Sequence, residues 1–558
     1  MHKTCVECNE DFQIVDSDRR FYAKIAPTFA GKTFALPEPT ECPQCRRKAR
    51  SAWRNERTLY QRTCSLTGEK TLSMYPADSP FPVYSFSTWF SDRWDGRTFG
   101  RAIDFDRPFF EQFAELSNVV PRLAQILERD ENCDYCNIVG RCRNCYLIFG
   151  SIESEDCYYG SPFFSKNCID SLVLSKSELC YECSDSEQLY QCFYCQNCSN
   201  SSNLSYCFEV MNSKDCHSCA GIAGKQYCFF NEQLSKEEYE RKLAEWRNGS
   251  CKKHRESLEM LERLKMKVPR KEFVGNGNED VSGNVIFNSK HCFDVYHVYR
   301  CQDVSHASQI NDGKDMMDVD CGEESELVYE QNGFYHVRNL ICCHWCWDNT
   351  SDSLYCSLCA QNVKNCFGCI GLRHAEYCIL NQQYTKEEYE DLCARLIAHM
   401  RQTGEWGKRF PPHLSPFGYN ETMAMDYFPL TKAEARAQGY NWQEHLPFTA
   451  GKETIRNTEL PDVIGDIPES FVNEILSCAQ CQRNFRIITQ ELSFLKQMAI
   501  PLPRLCPECR HRGRIGLRNP RNLWIRNCAK CRKEVQTTYS PERPEIFYCE
   551  ECYLAEVY

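Results

Sequence analysis

The sequence lacks the long apolar runs that membrane-spanning helices need. No stretch of about 18 consecutive apolar residues occurs in the 558-residue chain. The first residues, Met1-His2-Lys3-Thr4-Cys5, also lack the apolar segment of a secretory signal. We therefore predict a cytoplasmic protein with no membrane partner.

Sequence fingerprints of common enzyme classes are also missing. Neither a G-x-S-x-G nucleophile elbow nor a G-x-G-x-x-G dinucleotide motif occurs. The segment Ala26-x-x-x-x-Gly31-Lys32-Thr33 resembles a phosphate-binding loop, but alanine stands where that motif has its first glycine. No residue is predicted to be catalytic, and the sequence favours a protein that is not an enzyme.

Cysteine, in contrast, is abundant. The chain has 41 cysteines, and 42% of its residues are hydrophobic, which is enough to build folded cores. In a protein that is not exported, C-x-x-C pairs are more typical of metal ligands or buried thiols than of a disulfide framework.

Paired C-x-x-C motifs at both ends predict structural zinc sites. Each motif forms a tight turn that presents two thiolates, and two such turns complete a tetrahedron around one ion. Because four sulfur ligands leave no open position, such sites stabilise modules too small to fold alone. The predicted ligands are Cys5, Cys8, Cys42, Cys45, Cys478, Cys481, Cys506, Cys509, Cys528, Cys531, Cys549 and Cys552.

The two ends are copies of one another, with one difference. Cys64 aligns with Cys528, but Thr67, Ser85 and Thr88 stand where the second C-terminal copy has Cys531, Cys549 and Cys552. We therefore predict zinc ribbons at 1–62, 475–515 and 516–558, and a degenerate ribbon without ligands at 63–100. About three structural zinc ions are expected, not four.

Both ends share the pattern C-x-x-C, an aromatic residue, then C-P-x-C-R-x-x-x-R. It is carried by Cys5, Cys8 and Phe12 and by Cys42-Pro43-Gln44-Cys45-Arg46 with Arg50, and it is repeated around Cys478 and Cys506. This pattern resembles a zinc-binding zinc-ribbon family. The whole chain is similar to an uncharacterised cysteine-rich zinc-ribbon family of candidate-phylum bacteria. The resemblance implies zinc at both ends and no established activity.

Between the ends, cysteine recurs every twelve residues, with a single step of eleven and with Leu204 in one position. Helical repeats are excluded because they need 30–45 residues. Twelve residues allow only short strands joined by tight turns, so the repeat predicts stacked β-coils. Coils of 12 or of 24 residues both fit. The column is Cys133, Cys145, Cys157, Cys168, Cys180, Cys192, Cys216 and Cys228, and a second column holds Cys136, Cys183, Cys195, Cys207 and Cys219.

The repeat region is itself duplicated, because the segment from Tyr227 to Glu240 recurs from Tyr377 to Glu390. Each copy ends in a helix-capping pattern, Ser235 with Glu238 or Thr385 with Glu388, which predicts a helix over the last coil. The predicted fold is mainly β, with two small cysteine-rich β-solenoids and capping helices between zinc ribbons. Its units are 105–131 (a helix capping the first solenoid), 132–266 (first solenoid with helix), 267–283 (linker), 284–403 (second solenoid with helix) and 404–470 (extended linker with one helix from Thr431 to Gly439).

The solenoid cysteines have three alternative roles. They are inert packed thiols, ligands of further metal, or redox-active groups. An Asn or Asp often precedes the cysteine, as at Asn132, Asn144 and Asp156. This column could form a side-chain ladder or fill left-handed turn positions.

Positive charge is concentrated at the two ends. Residues 1–62 carry 12 Lys+Arg against 8 Asp+Glu, and 475–558 carry 14 against 8, whereas the whole chain has a net charge of −11. Arginine beside aromatic side chains suits phosphate contact and base stacking. The alternative is that these arginines are scaffold residues of the ribbons. The candidates for nucleic-acid contact are Arg46, Arg50, Trp53, Arg510, Arg514, Arg518, Arg521 and Trp524.

Together these features predict a non-enzymatic, zinc-binding scaffold whose ribbons contact RNA or a ribonucleoprotein. One alternative is a metal-dependent redox protein that uses the solenoid thiols. Another is a scaffold for protein partners that uses exposed tyrosine columns.

Overall fold

The computed structural model describes residues 2–557 and is mainly β. Two large, mostly parallel sheets occupy the middle of the chain, and small hairpin modules lie at both ends. Within the described residues, no helix combines the length and the apolar character needed to cross a bilayer.

Module A (residues 2–62) begins with the antiparallel strands His2–Thr4 and Asp11–Gln13, followed by helix α1 (Asp16–Ile25). A second hairpin, Thr28–Phe29 with Lys32–Thr33, contains the loop-like Gly31-Lys32-Thr33 sequence. Helix α2 (Pro43–Ser51) begins directly after Cys42, with proline at its first position.

Module B (residues 63–100) follows the strand Tyr60–Thr63, which pairs with Lys70–Ser73. The strand Val83–Tyr84 pairs in parallel with Arg122–Leu123, and helix α3 (Phe86–Trp89) comes directly after it. A short 3-10 turn, Gly96–Phe99, ends the module.

Helix α4 (Phe109–Ser117) is shorter than the sequence predicted and packs elsewhere. The chain turns at Asn118 and becomes extended because Pro121 cannot continue a helix. Phe109 packs edge-on against Tyr355 and Phe367, which belong to the second large sheet. The expectation that this helix covers the first solenoid is therefore wrong.

The first large sheet, which we call stack 1, consists of twelve strands, all parallel except the last. Neighbouring parallel strands are offset by twelve residues, except for offsets of eleven between Ile152 and Phe163 and between Ser161 and Leu172. The register thus advances by twelve residues and not by 24. The strands are Leu127–Glu128, Asn137–Gly140, Tyr146–Ile152, Tyr158–Phe163, Leu172–Ser175, Ser184–Tyr190, Ser199–Ser205, Phe208–Met211, Lys214–His217, Ala220–Ala223, Gln226–Phe229 and Glu232–Gln233.

A finer period of three residues runs through this stack. Asn132, Tyr135, Ile138, Arg141 and Asn144 all have φ between 52° and 57°. The residue after each of these left-handed positions belongs to the packed interior. The C-x-x-C spacing of the middle segment is therefore the spacing of successive inward side chains. The Asn and Asp that precede cysteines do fill left-handed turn positions, and some form ladders, as Asn132 does with Asn144 at 3.2 Å.

Cysteine fits the interior of stack 1 for a physical reason. The Cys183 thiol donates to the Cys192 carbonyl at 3.3 Å, in the next coil, and the Cys219 thiol donates to Cys228 at 3.5 Å. The Ser165 hydroxyl makes the same contact with the Leu174 carbonyl at 3.3 Å. At such positions serine and cysteine are small and satisfy a buried backbone carbonyl, while Leu, Ile and Val fill other inward positions.

Two helices cover stack 1. Helix α5 (Lys236–Trp246) begins at Ser235, whose hydroxyl accepts from the Glu238 amide at 3.2 Å as the capping pattern predicts. Helix α6 (Cys251–Lys265) follows and packs Leu261 against Tyr206 and Phe208 of the stack.

The second large sheet, stack 2, repeats this arrangement with a more aliphatic interior. Where the cysteine column is lost, Val298, Val304, Ile310 and Val319 fill the inward positions. The offset between neighbouring strands is thirteen residues at two places, between Arg338 and Ser351 and between Ser351 and Lys364. The strands are Gly275–Asn276, Glu279–Phe287, Lys290–Tyr299, Gln302–Ser305, Ser308–Tyr335, Arg338–Ile341, His344–Trp347, Ser351–Leu354, Lys364–Phe367, Glu376–Ile379 and Gln382–Gln383.

The segment 267–283, predicted to be a linker from its glycines, already contains strands of this stack. Gly275 has φ +152°, and a Cβ there would lie 1.9 Å from the Ile286 carbonyl oxygen. Gly283 has φ +140°, and its Cβ would lie 1.8 Å from the Val295 carbonyl oxygen. These glycines permit close approach of neighbouring coils, and they do not mark a flexible connection.

Helix α7 (Lys386–Gln402) covers stack 2, and the Thr385 hydroxyl accepts from the Glu388 amide as predicted. The following segment is largely extended. It contains helix α8 (Ala424–Tyr427) and helix α9 (Lys432–Ala437), which lies inside the predicted Thr431–Gly439 range. Its 3-10 turns are Pro412–Leu414, Tyr419–Glu421, Asn457–Glu459, Ile464–Asp466 and Glu469–Asn473.

Modules C (residues 475–515) and D (residues 516–557) form the C-terminal end. Module C contains the hairpin Leu476–Ser477 with Asn484–Phe485 and helix α10 (Thr489–Gln497), and helix α11 (Pro507–Gly516) closes it. Module D contains the hairpin Trp524–Asn527 with Glu534–Thr537, the strand Phe547–Tyr548 and helix α12 (Glu550–Val557). The strand Phe547–Tyr548 pairs with Arg270–Lys271 from before stack 2.

Candidate metal centres and the docking of the terminal modules

The twelve predicted ligand cysteines converge in three groups of four. In each group the Sγ atoms all lie within 4.8 Å of one another. Module A holds one group, module C the second and module D the third. The groups are Cys5, Cys8, Cys42 and Cys45; Cys478, Cys481, Cys506 and Cys509; and Cys528, Cys531, Cys549 and Cys552.

The sulfur separations suit a tetrahedral ion. The Sγ atoms of Cys8 and Cys42 are 3.7 Å apart, as are those of Cys481 and Cys506. Cys531 and Cys549 are separated by 3.6 Å. A tetrahedron with metal–sulfur bonds of about 2.3 Å has sulfur–sulfur edges of about 3.8 Å. The donor set and its spacing therefore fit a thiolate-preferring metal such as zinc.

The backbone of each module is arranged to hold thiolates. The Cys42 amide donates to the Cys5 sulfur at 3.2 Å, and the Cys506 amide donates to Cys478 at 3.3 Å. Burial of Cys478 opposes its ionisation, but amide hydrogen bonds from Cys481 and Cys506 lower its pKa to about 6. Amide donors stabilise the negative sulfur that a metal requires.

Four sulfur ligands around one ion leave no position for water or substrate. Such a site holds two hairpins together and does not activate a nucleophile. A metal ion held by all four sulfurs of such a group would therefore be structural and not catalytic.

Module B has the same backbone without the ligands. The Ser85 amide donates to the Cys64 sulfur at 3.5 Å, as the Cys549 amide donates to Cys528 at 3.2 Å in module D. The Ser85 hydroxyl, however, donates to the Thr88 hydroxyl at 2.8 Å. Three of the four ligand positions thus carry hydroxyl or methyl groups, and Cys64 belongs to none of the three cysteine groups.

The arginines of helix α2 are buried against stack 2. Arg46 pairs with Asp318 at 2.9 Å. Arg50 pairs with Asp320 at 2.7 Å and with Asp318 at 3.1 Å. Both arginines are at most 4% exposed. Burial opposes the charge on Arg50, but the neighbouring carboxylates raise its pKa above the usual range.

The corresponding arginines of helix α11 are buried against stack 1. Arg510 pairs with Asp170 at 2.9 Å, and Arg514 pairs with Asp170 at 3.0 Å and with Glu182 at 2.8 Å. Arg518 follows them and donates to Asp185 at 2.8 Å. The N-terminal module therefore docks on the second stack and the C-terminal module docks on the first.

This geometry corrects the prediction that the arginines contact nucleic acid. Arg46, Arg50, Arg510, Arg514 and Arg521 are between 2% and 6% exposed, so their guanidinium groups cannot reach a phosphate. The Arg518 guanidinium forms an ion pair with Asp185. The ring of Trp53 packs edge-on against the ring of His344, with the centroids 4.9 Å apart. Arg521 donates to Ser308 of stack 2 at 2.9 Å. Of the eight candidates, Arg518 and Trp524 are half-buried as residues, but the Arg518 side chain is only 6% exposed, whereas Trp524 lies at the start of its strand.

The acidic partners were missed at the sequence level, although a signal was present. Asp170 and Glu182 are twelve residues apart, as are Asp318 and Glu330. Carboxylates at the repeat spacing stack into a column on one face of the coils. Such a column of like charge needs a basic partner, which the terminal helices supply.

The middle cysteines show no comparable convergence. Within residues 2–557, the three terminal groups are the sets of at least three His, Cys, Asp or Glu ligand atoms that meet the 4.8 Å condition. The C-x-x-C pairs of the middle segment follow the three-residue spacing of inward side chains in the two stacks.

No family model matches the chain, and no curated protein matches it. A solved structure of a candidate acetyltransferase from Desulfovibrio desulfuricans G20 aligns with 8% sequence identity over 43% of this chain and 65% of that chain, which is under two thirds of its length. Its TM-score of 0.09 is too low to carry an argument about fold or function. The zinc-ribbon resemblance at the two ends therefore stays a prediction.

Proposed function

We propose that the protein is a zinc-stabilised, non-enzymatic binding scaffold. The three cysteine groups hold zinc in ribbon-like modules, and the two stacks are short β-solenoids. In this proposal the terminal modules are clamps that fix the two stacks relative to each other. The space between the stacks then serves for binding.

The observation that carries this proposal is the crossed docking of the arginines. Arg50 of module A is buried among carboxylates of stack 2, and Arg514 of module C is buried among carboxylates of stack 1. Removing one partner of a buried ion pair costs about 3–5 kcal/mol because a charge is left uncompensated. Since each arginine lies on a helix that contains one predicted ligand cysteine and begins directly after another, a bound metal would also fix the clamp.

We propose a reducing compartment such as the cytoplasm. Coils stacked at about 4.8 Å would place many cysteines of the middle columns within disulfide range. An oxidising compartment would favour cross-linking of these columns.

The clamp is tested by replacing Arg514 and Arg512, which lie on the same helix. Arg514→Ala should lower the free energy of unfolding by about 3–5 kcal/mol and expose module C to proteolysis. Arg512 is the matched control because its side chain is 59% exposed, and Arg512→Ala should change stability by less than about 0.5 kcal/mol. If denaturant titrations show that Arg514→Ala and Arg512→Ala lower the free energy of unfolding equally, the clamp is contradicted.

An RNA or ribonucleoprotein partner remains a second proposal, carried by different side chains. Arg532 and Lys533 in module D are exposed, and Trp524 and Ile525 lie on the adjoining hairpin strand. Exposed cations beside a half-buried aromatic ring suit a single-stranded backbone. Binding of a labelled uridine decamer at low salt, weakened in the double variant Arg532→Ala with Lys533→Ala, would support this partner.

The redox alternative is carried by one cluster at the start of stack 1. Cys133 is half-exposed, and hydrogen bonds from the thiols of Cys136 and Cys145 lower its pKa to about 3. Rapid alkylation of Cys133 relative to half-exposed Cys251, together with iron in the purified protein, would favour this alternative. The alternative would be contradicted if the protein contains zinc and no iron, and if Cys133 is alkylated no faster than Cys251.

A further inference from the structure

A long cleft lies between the two stacks. It has a volume of about 1320 Å³ and is lined by residues of stack 1, stack 2, the α8 segment and modules A, C and D. Pockets for single small molecules usually measure about 300–1,000 Å³. The size therefore favours an extended ligand with several similar units.

One wall is a continuous column of stack 1. Ile152, Phe163, Ser175, Glu187 and Ser199 all line the cleft. Each of these residues is the register partner of the next, one strand further along the stack. Because parallel neighbours are about 4.8 Å apart, this wall presents one side chain every 4.8 Å or so along the stack axis.

The opposite wall is a column of stack 2 that is rich in aromatic rings. Phe287 and Tyr299 are register partners in adjacent strands, with ring planes 5° apart and centroids 5.4 Å apart. Tyr335 and Trp347 form a second register pair further along the same face. All four line the cleft and are half-buried, so part of each ring faces its interior.

Both walls carry polar groups. In stack 1, Glu187 provides acceptors, and the amides of Asn197 and Asn200 both donate and accept. In stack 2, Asn311 is the register partner of Tyr299, and its amide donates to Glu323 at 3.3 Å. A ligand that matches these two walls must itself donate and accept hydrogen bonds at short intervals. Hydroxyl groups do both.

The charges in the cleft nearly cancel. Its lining includes ten Lys or Arg and nine Asp or Glu side chains. Nucleic acids and other polyanions depend on an excess of positive charge, which this lining does not provide. A proline-rich peptide would suit the aromatic rings, but its backbone offers carbonyl acceptors and few donors for the carboxylates.

We propose that the cleft binds a neutral, linear oligosaccharide that lies along the stack axis. The carbon faces of its sugar rings pack on Phe287, Tyr299 and Tyr335. Its hydroxyl groups form hydrogen bonds with the carboxylates and amides of both walls. This assignment rests on the proposed binding scaffold, since the clamps hold the two walls in place.

The experiment measures binding of four neutral hexasaccharides, cellohexaose, xylohexaose, mannohexaose and maltohexaose, to the full-length zinc-loaded protein by calorimetry. At least one should bind. Phe164 follows Phe163 in the stack 1 wall and exposes its ring to the cleft lining, and Tyr335 lies in the opposite wall, so Phe164→Ala and Tyr335→Ala should each weaken sugar binding about tenfold. Tyr190→Ala is the matched control, because Tyr190 is 46% exposed on the same stack as Phe164, which is 47% exposed, but lies outside the cleft. The control should bind like the unaltered protein.

Two further probes separate the competing ligands. The proposal would be overturned if no sugar binds and if a decaproline peptide or a uridine decamer binds in a way that Phe164→Ala and Tyr335→Ala weaken. So would sugar binding that Phe164→Ala and Tyr335→Ala leave unchanged. Zinc content and the Arg514→Ala result are measured on the same preparations. An intact clamp without sugar binding therefore rejects the ligand and retains the scaffold, whereas loss of the clamp rejects both.

Discussion

Modules B and D have nearly the same backbone but are stabilised in different ways. Both use a hairpin and a following helix, and in both an amide donates to the first cysteine sulfur, Cys64 or Cys528. Module D retains all four ligands, whereas module B retains one.

The interior of each module explains how module B holds this shape without a metal. Around Cys64 lie the fully buried rings and chains of Trp89 and Leu123, and Trp347 of stack 2 stacks on Trp89 at 6.1 Å. Around Cys528 the buried apolar residues are few: Val535 and Phe547 beside Cys549. In module B, a large aromatic core that is shared with stack 2 thus takes the place of the metal ion predicted in module D.

The comparison teaches that a four-cysteine site and an aromatic cluster are alternative solutions for a small hairpin module. A module of about 40 residues buries too little apolar surface by itself. Module B obtains the missing surface from stack 2, and in the proposed zinc-loaded protein module D would obtain the missing stability from four metal–sulfur bonds.

The strongest way to separate the two modules is to remove the metal. With a chelator, module D should lose most of the roughly 10–16 kcal/mol that a structural zinc ion supplies, and it should unfold, whereas module B should stay folded. Hydrogen exchange then reports loss of protection at Trp524–Asn527 and retained protection at Tyr60–Thr63. Equal loss in both strands would mean that module B depends on module A or on its metal.

The aromatic core is tested by the equivalent positions Trp89 and Tyr553. Trp89→Ala should cost about 3–5 kcal/mol because a fully buried indole leaves a cavity that the fixed stack cannot fill. Tyr553→Ala should cost less as long as zinc is bound, because the metal still holds the module. Denaturant titrations with and without chelator measure both effects, and a larger cost at Tyr553 in the zinc-loaded protein would contradict this account.

A smaller effect is expected from restoring the lost ligands. The triple variant Thr67→Cys, Ser85→Cys and Thr88→Cys should raise the zinc content from three ions to four, because the hairpin already has the required backbone. Stability should rise only modestly, since the aromatic core already holds the module. Native mass spectrometry counts the ions. A variant that also carries Cys64→Ser is the control, and it should bind less tightly.

Local sequence predicted the terminal sites well because their chemistry is local. A C-x-x-C turn places two sulfurs by itself, and the copy at the other end identified which ligands Thr67, Ser85 and Thr88 had replaced. The helix starts at Ser235 and Thr385 were predictable for the same reason, since a cap depends on residues three positions apart.

The middle segment was only partly predictable. The twelve-residue spacing identified the repeat, but the three-residue period remained hidden because its inward position accepts Cys, Ser, Val and Leu alike. Cys133-x-x-Cys136 therefore looked like a metal-binding turn. Gly275 looked like a linker residue because the clash that requires glycine there involves the carbonyl of Ile286, in the neighbouring strand.

By itself the sequence determined the three groups of four cysteines, the missing fourth group, the repeat length and the caps, all of which depend on residues close in the chain or on exact spacing. The tertiary structure alone decided where the arginines go. From the sequence alone, Arg50 and Arg514 are interpreted as exposed cations. In the fold, Asp320 and Glu182, each more than 250 residues away in the chain, form ion pairs with them. A buried charge is stable only with its partner, and that partner is assigned by how the modules pack.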